Sequence, residues 1–252
     1  MIDRFSDSIL RLENVSLQAT VGSDFLLQDI SCELQSGQKI GVIGASGSGK
    51  TSFLKLLNRL VLPTSGEVFF KNISSQQFNA IELRRLIVLA PQEPKLLGMK
   101  VIEALKYPLS LQHFSEAEIK VRVNTWIDLL SIPESWLNKT ELQLSLGQRQ
   151  LVTIARALAM QPDVLLLDEP TSALDIGTAT RVLQILAETN LSQNLTIVMV
   201  NHQLELIEDF CDRLLFFQDG KLEHNVEADR DNWQMLQAKL MRSQLSQEEE
   251  WN

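Results

Sequence analysis

The sequence predicts an α/β protein with a mixed, parallel-core sheet, an N-terminal antiparallel β subdomain and an inserted helical subdomain. Three observations carry that prediction. Gly44-Ala45-Ser46-Gly47-Ser48-Gly49-Lys50-Thr51 follows an apolar run (Ile40, Val42, Ile43) and precedes Ser52-Phe53-Leu54-Lys55-Leu56-Leu57, a strand–loop–helix order. Val164 to Leu167 is a short, unbroken apolar run, as in a strand buried on both faces of a parallel sheet. Between the two, from about Pro94 to Gln143, the spacing of apolar residues turns helical.

In chain order, residues 10 to 43 alternate apolar and polar (Leu10, Leu12, Phe25, Leu27, Ile30, Cys32) with turns at Gly22-Ser23 and Ser36-Gly37, and read as antiparallel strands. Further strands are expected at Gly66 to Phe70 and Leu86 to Leu89. The helical block holds Val101 to Tyr107 and Glu116 to Leu130, with Pro108 and Pro133 as breakers. From Val164 onward strands and helices alternate through Thr196 to Val200 and Arg213 to Phe217, followed by the turn Asp219-Gly220 and Lys221-Leu222. Trp233 to Leu245 reads as an amphipathic terminal helix, and Glu248-Glu249-Glu250 as a solvated tail.

Composition excludes several classes. The 252 residues carry a net charge of −9, which argues against general affinity for nucleic acid or anionic lipid. No secretory segment follows Met1-Ile2-Asp3-Arg4, and no apolar run approaches the roughly 18 residues that span a bilayer. Cys32 and Cys211 lack metal-like spacing and read as buried, reduced structural residues; His113 and His224 match no motif and read as surface residues.

The glycine-rich loop has the chemistry of a phosphate cradle. Its glycines let backbone N–H groups close around phosphate oxygens at the positive end of the next helix. Gly44, Ala45, Ser46, Gly47, Ser48, Gly49, Lys50, Thr51 and Ser52 are the expected nucleotide contacts, with Lys50 on the β- and γ-phosphates and the Thr51 hydroxyl on Mg²⁺. Asp168 ends the strand Val164 to Leu167, where open α/β sheets place ligands, and is expected to hold the Mg²⁺ shell through water. Glu169, one residue on, points differently and is placed to polarise an attacking water. Together these residues predict binding and hydrolysis of a nucleoside triphosphate.

From about Leu10 to Leu222 the chain resembles the ATP-binding subunit of an ATP-binding cassette (ABC) transporter, a P-loop NTPase. The most specific element is Leu144-Ser145-Leu146-Gly147-Gln148-Arg149-Gln150, similar to the family signature Leu-Ser-Gly-Gly-Gln except for Leu146. Ser145 is also a natural helix N-cap for Leu151 to Leu158. The resemblance implies that Ser145, Gly147 and Gln148 contact the γ-phosphate of an ATP held by a second subunit. It implies that Gln92 touches Mg²⁺ and relays to the membrane partner, that Ser172 to Asp175 contacts the other subunit, and that His202 bonds the γ-phosphate and orients Glu169. Catalysis then falls to Glu169, His202 and Lys50, and metal binding to Thr51, Gln92 and Asp168. The family stacks an aromatic on adenine; here that slot falls at Val21, with Phe25 nearby.

What the resemblance implies is an ATPase using ATP and Mg²⁺, working as a homodimer on a separate integral membrane permease at the cytoplasmic face, without nucleic acid and touching the membrane only through that partner. The cassette is expected over residues 9–225 (9–93 and 161–225 as catalytic core with the β subdomain, 94–160 as helical subdomain), with 226–252 as terminal helix and acidic tail. Pro94 to Met99 is the expected wall of the permease-docking groove. Among subfamilies the segment from Pro91 to Pro108 looks most like the small iron-export and aluminium-tolerance type. Phosphate and amino-acid importer subunits, and a soluble ATPase of the iron–sulfur-assembly type, stand as alternatives.

Overall fold

The computed structural model describes residues 8–20, 22, 24–202 and 204–250. The N-terminal region holds β1 (Ser8–Gln18), β2 (Phe25–Gln35), β3 (Lys39–Gly44), α1 (Lys50–Leu57), β4 (Ser65–Phe70), β5 (Ile73–Ser74), α2 (Ala80–Leu86) and β6 (Ile87–Ala90). Three helices follow: α3 (Val101–Ser110), α4 (Glu116–Leu129) and α5 (Leu146–Ala159). The chain closes with β7 (Val164–Asp168), α6 (Ile176–Gln193), β8 (Thr196–Val200), α7 (Leu204–Glu208), β9 (Arg213–Gln218), β10 (Lys221–Glu227) and α8 (Arg230–Glu250).

Two sheets form. The smaller is antiparallel with order β2-β1-β4-β5, and the larger has order β10-β9-β3-β8-β7-β6. In the larger sheet β6, β7, β8, β3 and β9 run parallel, and β10 closes one edge antiparallel to β9. The first two strands are antiparallel as expected, but β3 is not their continuation. It crosses into the larger sheet between β8 and β9, because Ile40, Val42 and Ile43 are all fully buried and need cover on both faces.

Side-chain alternation across the larger sheet divides the interior. Leu165 and Leu167 of β7, Ile197 and Met199 of β8, and Leu214 and Phe216 of β9 face one core with α3, α4, α5 and α6. Val164, Leu166, Val198, Val200, Leu215 and Phe217 face the other, with α1 and the antiparallel sheet. Each fully buried side chain of this size contributes about 1.5–3 kcal/mol, so a slip of one residue in any central strand would exchange the cores and cost several of these terms.

Pro108 lies inside α3 and does not end it. Leu105 and Leu109, both fully buried, hold the helix against α4 and α5 across the proline, and that packing outweighs the missing backbone donor. Pro133 behaves as expected, preceding a short turn at Glu134–Trp136. The cysteines are buried and unpaired; burial raises the Cys32 thiol to about 12 and pushes Cys211 up as well. His113 is exposed, but His224 is half-buried, 2.6 Å from Lys239 Nζ and against the Phe216 ring, so it belongs to the seat of the terminal helix and not to open surface.

That helix is longer than its sequence pattern indicates, and Trp233, Leu236 and Leu240 enter the same core as α5 and α6. Leu236→Ala should therefore destabilise the protein by about 2–5 kcal/mol in urea unfolding. A loss below about 0.5 kcal/mol, the range of an exposed substitution, would mean that α8 is not docked.

Candidate active site

The loop between β3 and α1 turns on left-handed glycines. At Gly49, φ is +101°, and a Cβ there would stand 2.6 Å from the Leu26 carbonyl oxygen and 2.7 Å from Leu27 Cδ2, so only glycine fits between the loop and β2. Lys50 opens α1 with its ammonium folded back, donating to the Gly44 carbonyl at 2.8 Å and the Ala45 carbonyl at 2.7 Å. Burial holds the Lys50 pKa below its ordinary value, against the pull of Glu169 and Asp168. Ser48 is buried with no partner for its hydroxyl among the described residues.

Across the loop stands the carboxyl end of β7. Thr51 Oγ1 donates to Asp168 Oδ1 at 3.3 Å. Burial raises the Asp168 carboxyl, opposed by that hydroxyl, reinforced by the Glu169 charge and opposed again by Lys55 and Lys50. Glu169 then takes φ +52°, a left-handed backbone that costs a non-glycine residue about 1–2 kcal/mol. Its N–H donates to the Val200 carbonyl at 2.9 Å, and its side-chain Oε1 lies 2.9 Å from His202 Nε2. The reversed backbone turns this carboxylate away from its buried neighbour Asp168 and toward open space.

That space is a cleft of about 410 Å³ lined by Ser46, Gly47, Gly49, Lys50, Thr51, Ser52, Gln92, Glu169, His202 and Leu26. Asp168 lies beneath it, reached through Thr51, while Gly44, Ala45 and Ser48 form the buried back of the loop. Val21 lies outside the described residues. Leu26, which sequence reasoning missed, provides the apolar wall; Phe25 is exposed and does not line the cleft. Both side chains are partly exposed, and neighbouring apolar residues at a strand start gave no signal for which of the two borders the cleft.

Ser145, Gly147 and Gln148 are not brought into the cleft. They form the amino end of α5, where the Ser145 hydroxyl accepts from the Gln148 N–H at 3.2 Å and the Gln148 carboxamide accepts from the Ser145 N–H at 3.0 Å, a reciprocal cap. Leu146 is 48% exposed there, and Ile176, the first residue of α6 after its cap Asp175, is 76% exposed. Asp175 accepts from the Thr178 N–H and hydroxyl, which lowers its pKa. Of Pro94 to Met99, Pro94 and Leu96 are buried, whereas Leu97 and Gly98 are exposed.

The profile of the family described as ABC transporter matches residues 27–172, more than half of the chain. The chain belongs to the ABC transporter family. It is 38% identical over 204 residues to the methionine import ATP-binding protein MetN of Francisella tularensis subsp. holarctica (strain OSU18), covering 79% of this chain and 58% of that protein. To MetN of Carboxydothermus hydrogenoformans it is 35% identical over 232 residues, covering 88% and 68%. Among solved structures it is similar to the dimeric ATP-binding cassette MJ0796 in a post-hydrolysis state bound to ADP and Pi, with a TM-score of 0.81, 29% identity and coverage of 88% and 99%. This member of the ABC transporter family thus spans 58% of the length of the Francisella protein.

A carboxyl whose pKa is higher in the folded than in the unfolded chain binds more protons when folded, so stability falls as pH rises through that window. For Asp168 the window starts at its ordinary value of 3.8 and the penalty is fully present above the raised value. Asp168→Asn should therefore raise the melting temperature at pH 7 in EDTA without nucleotide, and the advantage should shrink as pH approaches the ordinary value. Equal melting temperatures at pH 7 would mean the carboxylate is solvated.

Proposed function

We propose that this chain binds Mg²⁺ and ATP, hydrolyses the γ-phosphate, and powers transport through a separate membrane-spanning permease. The observation that carries the reading is the Glu169 carboxylate, turned by its left-handed backbone into the cleft and held by His202 at 2.9 Å, opposite Lys50 and Thr51. The residues fit the ligands: a glycine where a Cβ would strike the chain, a buried Ser48 hydroxyl without a partner among the described residues, and hard oxygen donors on Thr51, Asp168 and Gln92 of the kind Mg²⁺ takes.

Lys50 moves its ammonium from the Gly44 and Ala45 carbonyls to the β- and γ-phosphate oxygens, exchanging two neutral acceptors for charged ones. Glu169 accepts a proton from water as the water oxygen bonds to the γ-phosphorus and the bridging P–O bond to the β-phosphate breaks. His202 keeps the carboxylate oriented and donates toward the departing phosphoryl group. When bound, Mg²⁺ supplies neutralisation of charge on the phosphate oxygens. Leu26 covers the base in place of an aromatic stack.

A second copy completes each site. This is supported by the separation of Ser145, Gly147 and Gln148 from the cleft within one chain and by the dimeric MJ0796 cassette. The exposed Leu97 and Gly98 are the proposed contact for the permease, which would hold the chain at the cytoplasmic face; no helix of the described residues is long and apolar enough to cross a membrane. The MetN relatives favour import, with an amino acid such as methionine as cargo, over metal export.

Glu169→Gln should lower ATP turnover by about 10²–10⁴-fold and trap an ATP-bound dimer by light scattering; a variant that stays monomeric in ATP and Mg²⁺ would sink the sandwich. Affinity purification from detergent-solubilised membranes should recover an integral membrane protein. Recovery of a purely soluble complex would instead favour the iron–sulfur-assembly type.

A further inference from the structure

Gln150 is, with Thr153, one of two polar side chains on the buried face of α5. It is 3% exposed, next to the buried apolar residues Leu151, Val152, Ile154 and Ala155. Its carboxamide is only half satisfied: Nε2 donates to the Glu169 carbonyl at 3.1 Å, and Oε1 has no partner among the described residues. An unpaired buried acceptor costs about 1–3 kcal/mol. An apolar side chain of the same shape would avoid that cost, so packing does not account for glutamine here. The donor does.

The acceptor is the backbone of the residue that carries the hydrolytic carboxylate. Three donors meet the Glu169 carbonyl: Gln150 Nε2 from α5, and the Ser172 hydroxyl at 3.0 Å and N–H at 3.3 Å from its own loop. Because Glu169 sits at φ +52°, its peptide depends on such contacts to hold an unfavourable geometry. A second contact joins the same two elements. At Gly147 a Cβ would stand 2.5 Å from the Ala173 carbonyl oxygen, so the amino end of α5 lies directly on the loop that follows Glu169. Beyond that loop, Asn201 Nδ2 donates to Thr171 Oγ1 at 2.9 Å, which ties it to the residue before His202.

We infer that Gln150 is a positioning residue that links the amino end of α5, where a second copy's ATP would be read, to Glu169 in the chain's own cleft. The link rests on the proposed hydrolysis in a two-copy sandwich. Contact at Ser145 and Gly147 shifts α5, Gln150 and the Gly147–Ala173 contact carry that shift to the Glu169 peptide, and the carboxylate reaches its working position only when the opposite site is filled. A side chain acting in this way changes the chemical step and leaves ATP binding alone.

The test is Gln150→Met in the full chain, which keeps volume and removes the donor. Steady-state turnover should fall by roughly 10- to 100-fold, the scale of an ångström-level misplacement. The KM for ATP should stay within about threefold, since the ground-state contacts are unchanged. In a Glu169→Gln background the added substitution should leave the ATP-trapped dimer intact. Unchanged turnover, or turnover that falls together with ATP affinity and dimer formation, overturns the inference by making Gln150 a structural residue. Should the methionine variant not fold, Gln150→Asn, one methylene too short to reach the carbonyl, carries the same expectations. A wild-type chain that neither turns over ATP nor dimerises would instead overturn the proposed function, so the two failures are distinguishable.

Discussion

Burial of the larger sheet on both faces is the constraint on which the rest of this molecule depends. Its central strands present consecutive apolar residues to two separate cores, so the carboxyl ends of β3, β7 and β8 are brought side by side at one edge of the packed interior. Polar chemistry then has one place to emerge. The glycine loop leaves β3, Asp168 and Glu169 leave β7, and Asn201 and His202 leave β8, all at that rim. Parallel packing costs the chain long crossover connections, and the helices that make those crossings supply α5 with its signature end.

The site balances buried charge against poised charge. Asp168 and Lys50 are kept out of water, and burial moves both of their pKa values toward neutrality of the side chain. Glu169 and His202 sit at the cleft with their partner contact already made. The division follows from a single backbone reversal: β7 ends at Asp168, and the left-handed Glu169 turns the next carboxylate from the core to the cleft. Two adjacent acids thereby gain different environments, one buried beneath the cleft and the other lining it.

Distance within one chain also matters. The amino end of α5 has its own cap, exposed Leu146 and proximity to the loop after Glu169, yet it lies away from the cleft. Gln150 and Gly147 join that end of α5 to the cleft through the loop after Glu169. On the proposed two-copy reading, turnover is a property of a pair and each half has a physical route to the other.

The sequence by itself determined the strand–loop–helix around Gly44 to Thr51 and the carboxylates after Val164 to Leu167, because each is a local pattern, and a family resemblance pointed to the signature segment and the histidine after β8. It also indicated the antiparallel start and the helical block. Tertiary structure alone decided the rest. Pro108 stays within α3 because Leu105 and Leu109 are buried; β3 leaves the antiparallel strands because its residues need cover on two faces; α8 joins the main core through Trp233, Leu236 and Leu240. The placement of Leu26 at the cleft and the reach of Gln150 to Glu169 depend on elements far apart in the chain, which no local spacing encodes.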